Sequence, residues 1–172
     1  MGMSVSTSSP ERFRRSGQKT RTRLELWIRP SAAGGNGVGH LVDQARSFER
    51  EGLVDAVQVR TWDDALDLSS TLRSRREREA RARVQEFKRW AWEHGTELVG
   101  FGERRRAGRG RMGPEYVSQH VPRVVLAEFE DDVLVNVTPC RDSERCVSER
   151  LDTLADDAEA AHYSQLRSRI IR

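Results

Sequence analysis

Two cysteines in 172 residues are too few for a disulfide framework, so the chain has to fold on a buried core. No apolar run approaches the roughly 20 residues that a membrane-spanning helix needs. The first residues have no apolar stretch either, so Arg14-Arg15 is not read as a twin-arginine export signal. The start Met1-Gly2 with Ser6 fits a myristoylation pattern, but nothing else in the sequence argues for a lipid anchor. No internal repeat is visible, which excludes a solenoid or array. Lysine is nearly missing: of 30 basic residues only Lys19 and Lys88 are lysine, and the other 28 are arginine. These absences leave a polar chain with 33% charged residues and a mean hydropathy of -0.73, which is read as cytoplasmic.

At 19.7 kDa the chain has room for one domain with tails and not for two independent cores. The net charge of +3 is spread unevenly. Residues 1–30 carry +5, residues 73–94 carry +4, and residues 95–125 carry +3. Residues 31–72 carry -4 and residues 126–161 carry -8, while residues 162–172 return to +3. A field segregated in this way draws polyanions to one side and repels them from the other. Arginine suits such a partner because its planar fork binds phosphate bidentately. A GC-rich genome also favours arginine and alanine codons, so composition alone does not decide the matter.

Residues 1–21 have no periodicity and read as a flexible basic arm. Order is expected to begin near Thr22, where Leu24, Leu26 and Ile28 alternate with Arg23, Glu25 and Trp27 as a strand with one apolar face. After Pro30, four glycines between Gly34 and Gly39 read as a loose loop. Leu41, Val42, Ala45 and Phe48 then recur at helical spacing, and Val54 to Val59 give a second strand. Strand, helix and strand form a βαβ unit. A long helix is expected from about Ser70 to His94, with Ala80, Val84, Phe87 and Ala91 as its apolar stripe. The remainder is β-rich: Leu98 to Arg104, then Pro122–Phe129 and Val133–Thr138 around a turn at Asp131-Asp132. Val124 to Ala127 is apolar on both faces, which marks a central strand. Val147, Leu151 and Leu154 suggest a short acidic final helix. The resulting fold class is α+β, with residues 22–160 as one domain and 161–172 as a frayed tail. Helices on one face of a mixed sheet, as in a ferredoxin-like sandwich, would satisfy this order.

Each motif with chemical potential has an ordinary rival. Gly35, Gly37 and Gly39 follow a strand and open a helix, where phosphates bind. His40 stands where a dinucleotide fingerprint needs glycine and a P-loop needs lysine. Cys140 and Cys146 are too far apart for the usual zinc pair, and His94 and His120 do not complete a set. Asp63, Asp64 and Asp67 read as turn and capping residues. There are no paired carboxylates and no nucleophile with a placed base, so the protein is read as non-enzymatic with no cofactor and no metal.

Arginine is the positive signal. Arg104, Arg105, Arg106, Arg109 and Arg111 form the densest basic run, and Arg109-Gly110-Arg111 matches the core of a minor-groove hook. Arg75 and Arg76 join this candidate nucleic-acid-binding set, with Arg73 and Arg78 beside them, if these share a face. Residues 40–59 look like the end of a winged helix-turn-helix, or equally an ordinary helix-to-strand turn.

Several spaced blocks together resemble a known group. They are Arg23-Leu24-Glu25-Leu26-Trp27-Ile28-Arg29, Gly52-Leu53-Val54-Asp55 and Glu86-Phe87-Lys88-Arg89-Trp90-Ala91. Val121-Pro122 through Leu126-Ala127-Glu128-Phe129-Glu130-Asp131 and Pro139-Cys140-Arg141-Asp142 complete the series. Over about residues 22–155 the chain resembles short haloarchaeal proteins labelled helix-turn-helix domain proteins. The resemblance implies DNA binding and transcriptional regulation, without assigning residues. Where haloarchaeal proteins are typically acidic this chain is net positive, and where relatives tend to have Asp-Gly it has Asp131-Asp132. The expected partners are DNA and, through the acidic C-terminal region, a protein; a ligand-sensing or interaction domain without nucleic acid is the rival reading.

Overall fold

The computed structural model describes residues 20–69, 71, 73–106, 116–140 and 145–170. The expected basic arm therefore falls outside the described residues except at its end, as does the Gly/Arg loop that holds Arg109 and Arg111.

A four-stranded sheet forms the centre, in the order β2 (Ala56–Thr61), β1 (Thr22–Ile28), β6 (Val124–Glu130), β7 (Val133–Cys140). β1 and β2 pair in parallel, with Leu24 opposite Val57 and Leu26 opposite Val59. β6 is antiparallel to both β1 and β7 and lies inside the sheet, as its doubly apolar sequence predicts. Asp131 and Asp132 make the β6–β7 turn with φ of 48° and 65°, the left-handed pair a tight hairpin demands. A smaller sheet orders β3 (Ala65–Asp67), β5 (Tyr116–His120) and β4 (Gly102–Arg106). β4 starts later than the apolar spacing suggests, because Gly100 at φ +88° turns the chain just before it. β3 and β5 have three and five residues, too few for their sequences to carry a strand pattern.

Four helices complete the fold: α1 (Pro30–Ala33), α2 (Asn36–Arg50), α3 (Arg75–Glu93) and α4 (Arg145–Ile170). The glycine-rich stretch is not a loose loop throughout; Gly37 and Gly39 lie in the first turn of α2. Its Gly35 is packed, since a Cβ there would stand 2.9 Å from the Arg123 guanidinium. The apolar anchor of α4 is the short stretch Val147, Leu151 and Leu154. Its backbone stays helical beyond that anchor to Ile170, over most of the stretch expected to fray.

Two features depart from the ferredoxin-like expectation. That topology puts a third strand between the two parallel strands of a βαβ unit, whereas β1 and β2 are directly paired here. Both faces of the sheet are also covered. Leu24, Leu26, Ile28, Val124 and Leu126 pack under α2 and α4, and Trp27, Val125, Ala127 and Phe129 pack under α3 and the small sheet. The cause is visible in β1, whose apparently polar face is buried: Glu25 is 1% exposed and Trp27 4%. Trp27, Trp62, Phe87 and Phe101 form an aromatic cluster on that side, with neighbouring rings 5.2 to 6.5 Å apart.

Candidate nucleic-acid interface

α3 begins with a capping box. Ser74 Oγ accepts a hydrogen bond from the Glu77 amide at 3.2 Å, and Glu77 supplies acid to the first turn. Ala80, Val84, Phe87 and Ala91 are buried at intervals of four, three and four, which fixes the rotation of the helix. The exposed positions are Arg75, Arg76, Arg78, Glu79, Ala82, Gln85, Arg89, Trp92 and Glu93, of which Arg75, Arg78, Ala82, Gln85 and Arg89 form one row. Trp92 is 83% exposed, the most open large apolar side chain among the described residues. From Arg75 to Arg89 this row is roughly 20 Å long. It carries no acid. Glu79 and Glu86 stand on one flank, where Glu79 is paired with Arg75 at 2.9 Å and Glu86 with Arg83.

The arginines divide into two populations. Arg83 and Arg23 both hold the buried Glu25 carboxylate, and both guanidinium groups lie over the Phe129 ring, at 4.8 and 4.1 Å from its centroid. Trp27 Nε1 donates to the other oxygen of Glu25 at 3.0 Å. On the opposite face of the sheet, Arg150 of α4 binds Glu128 through two hydrogen bonds of 2.7 Å. That bond raises the Arg150 pKa above its ordinary value, against the opposing effect of burial, so the group is charged wherever the protein is folded. These guanidinium groups are structural. Arg89, by contrast, has no ion-pair partner among the described residues, and Arg78 donates to the Arg73 carbonyl at 2.8 Å while staying exposed.

The candidate residues read from sequence are distributed as follows. Arg75 faces outward on α3, whereas Arg76, one residue on, donates to the Thr61 carbonyl at 3.2 Å. Arg73 precedes the helix and holds the Leu68 carbonyl at 3.2 Å. Arg104 and Arg105 are exposed on β4, and strand alternation sends them to opposite faces. Arg105 shares parity with Glu103, which is paired across the sheet with the buried Gln119; Arg104 shares a row with Ser118 and Asp67. Arg106 ends the strand opposite Tyr116. β5 separates β4 from β3, so Arg104 stands two strand spacings, roughly 10 Å, from the segment that leads into α3. The outward row on α3 was legible only in part. Its signal is the phase complementary to the buried stripe, which adds Gln85, Arg89 and Trp92.

α1 and α2 form the helix–turn–helix succession of the described residues, joined at Gly34-Gly35. α1 is a single turn, and α2 buries its apolar face on the sheet while exposing both signs, Asp43 and Glu49 with Arg46 and Arg50. α3 instead exposes an arginine row from Arg75 to Arg89, with Glu79 on its flank and Glu93 beyond its end. The fold is thus an α+β domain whose central sheet is covered on both sides, with an arginine-faced helix on one of them. A family profile described as a helix-turn-helix domain matches residues 16–159, and the chain belongs to that family. No curated protein and no solved structure matches it. Among the described residues no helix is long and apolar enough to cross a membrane.

Proposed function

We propose that the protein is a DNA-binding transcriptional regulator of the cytoplasm that docks the outer face of α3 on the duplex. The observation that carries this reading is the acid-free row Arg75, Arg78, Ala82, Gln85 and Arg89 on a helix held rigidly by four buried side chains. An α-helix fits the major groove; Gln recognises adenine edges there and Arg recognises guanine or phosphate. The small Ala82 lets the middle of the helix approach closely. Arg104, Arg105, Arg106, Arg109 and Arg111 supply phosphate contacts from β4 and the loop after it, with no base information of their own. The acidic outer face of α4 lies across the sheet from α3 and is left for a protein partner.

A titration of labelled duplex DNA at several salt concentrations tests the reading. The expected result is an affinity that falls steeply with salt. Replacing Arg78 and Arg89 together by alanine weakens binding about tenfold or more and lowers the salt slope by about two. Arg46→Ala on α2 leaves both unchanged. Binding that ignores salt, or a double variant that binds like the parent, removes α3 from the interface.

A further inference from the structure

The small sheet and the end of β1 enclose a cleft of about 580 Å³, within the roughly 300–1,000 Å³ of small-molecule sites. Arg29 stands on one side, and Arg104 and His120 stand on the other. Phe101, Val121 and Pro122 supply apolar wall. Two acids also line it. Glu103 is held by Lys88 Nζ at 3.6 Å, and Glu97 is exposed on the loop before β4. Gly102 lies in the wall and leaves its own part of the space open. Gly102 pairs with His120 in the ladder, and a Cβ built there would meet nothing within 4 Å. Gly100 fixes the wall in the opposite sense: at φ +88° its Cβ would press on Pro122 at 3.2 Å.

We propose that this cleft binds a small organic anion, a carboxylate or phosphate group carried on an apolar body. The charged head sits between Arg29 and Arg104, with His120 as a further donor, and the body lies against Phe101 and Pro122. The unengaged cations there outnumber the one unengaged acid, Glu97, and arginine forks match both headgroups. α3 contributes nothing to the lining of the cleft; Arg104 is the one residue it shares with the proposed DNA contacts, so the small anion and DNA compete there.

Calorimetric titration of the full chain with benzoate, phenyl phosphate, inorganic phosphate and neutral benzamide tests the proposal. The expected result is saturable binding of one or both aromatic anions, with a Kd below about 1 mM, and none of benzamide. The arm that binds tells carboxylate from phosphate ligands. Gly102→Val suits a strand, its Cβ meets no neighbour within 4 Å and its side chain narrows the cleft beside His120, so it weakens binding while the far-ultraviolet spectrum and thermal midpoint stay those of the parent. Arg104→Gln keeps the cleft and weakens the anion about tenfold or more, the loss of a hydrogen bond to a charged group. Failure of both aromatic anions to saturate, binding of inorganic phosphate alone, equal binding of benzamide, or unchanged binding by a folded Gly102→Val protein each overturns it.

Discussion

The two faces of the central sheet solve the same packing problem and present opposite charge to solvent. On each, a sheet carboxylate is buried and held by an arginine from the covering helix: Glu25 by Arg83 of α3, and Glu128 by Arg150 of α4. Around the first lies an aromatic core, and around the second an aliphatic one. Over its whole length α3 has seven basic residues against four acidic, whereas α4 exposes Glu149, Asp152, Asp156, Asp157 and Glu159. The lesson is that a count of arginines says little about function here. Guanidinium groups that hold a buried carboxylate cannot meet a phosphate without unfolding the core, so only those on the outer phase of a helix or on an open strand remain for a partner.

The largest expected effects test whether both faces carry the fold. Phe87→Ala removes a fully buried ring from the α3 side and is expected to cost about 4 kcal/mol; Leu151→Ala unpins α4 and costs about 3 kcal/mol. Urea denaturation checks both. A loss below about 1 kcal/mol in either case means that the corresponding helix is an accessory cover and not part of the cooperative core.

Next come the two clamps. Glu25→Gln keeps the shape but leaves Arg23 and Arg83 facing a neutral amide, at an expected cost of about 2–3 kcal/mol. Glu128→Gln faces one arginine, Arg150, beside the neutral Asn136 amide; Arg150 is itself 31% exposed, so solvent screens it and the loss is smaller, about 1 kcal/mol. Equal losses in chemical denaturation would show that the second guanidinium over Phe129 adds nothing to the first clamp.

The outward phase has a smaller and different signature. Arg89→Ala is expected to leave stability within about 0.5 kcal/mol, since the side chain has no ion-pair partner among the described residues. Its effect is on DNA, a loss of about 1 kcal/mol in affinity. Trp92, being open to solvent, is expected to change its fluorescence on the same titration. A destabilised Arg89→Ala protein would assign this arginine to the structural population.

How far these features were legible depended on whether a pattern stayed within one element. The βαβ unit, the stripe of α3 and the central place of β6 all follow from apolar periodicity, and the structure keeps them. The second buried face of β1 was not legible, because Arg23 and Glu25 look solvent-facing until α3 brings Arg83 across from 58 residues away. β3 and β5 were missed for a related reason: they are too short to show an alternation, and their pairing comes from the neighbours that the long chain returns to them. The candidate arginines were visible as a cluster, but the alternation that sends Arg104 and Arg105 apart, and the Thr61 carbonyl that engages the exposed Arg76, are properties of the folded elements.

The smallest expected effect lies at the hairpin that joins β6 and β7. Asp131 and Asp132 both hold positive φ, which costs a non-glycine residue about 1 kcal/mol. Asp131 is compensated: its Oδ1 accepts from the Arg21 amide at 2.9 Å, and its own amide donates to the Arg21 carbonyl at 2.8 Å. Asp132 has only a contact of 3.4 Å with Arg23 and is 78% exposed, which contributes little. Asp132→Gly creates the Asp-Gly sequence that this turn type favours. It removes the strain at φ 65° and admits the extra backbone entropy of glycine in the unfolded chain, so the net gain is about 0.5 kcal/mol. Asp131→Gly keeps the amide bond to the Arg21 carbonyl but loses the side-chain bond from the Arg21 amide in exchange for the same relief, and is expected to be neutral or worse. A thermal melt that ranks the two variants the other way would place the strain at Asp131 and make the Arg21 contacts irrelevant to the turn.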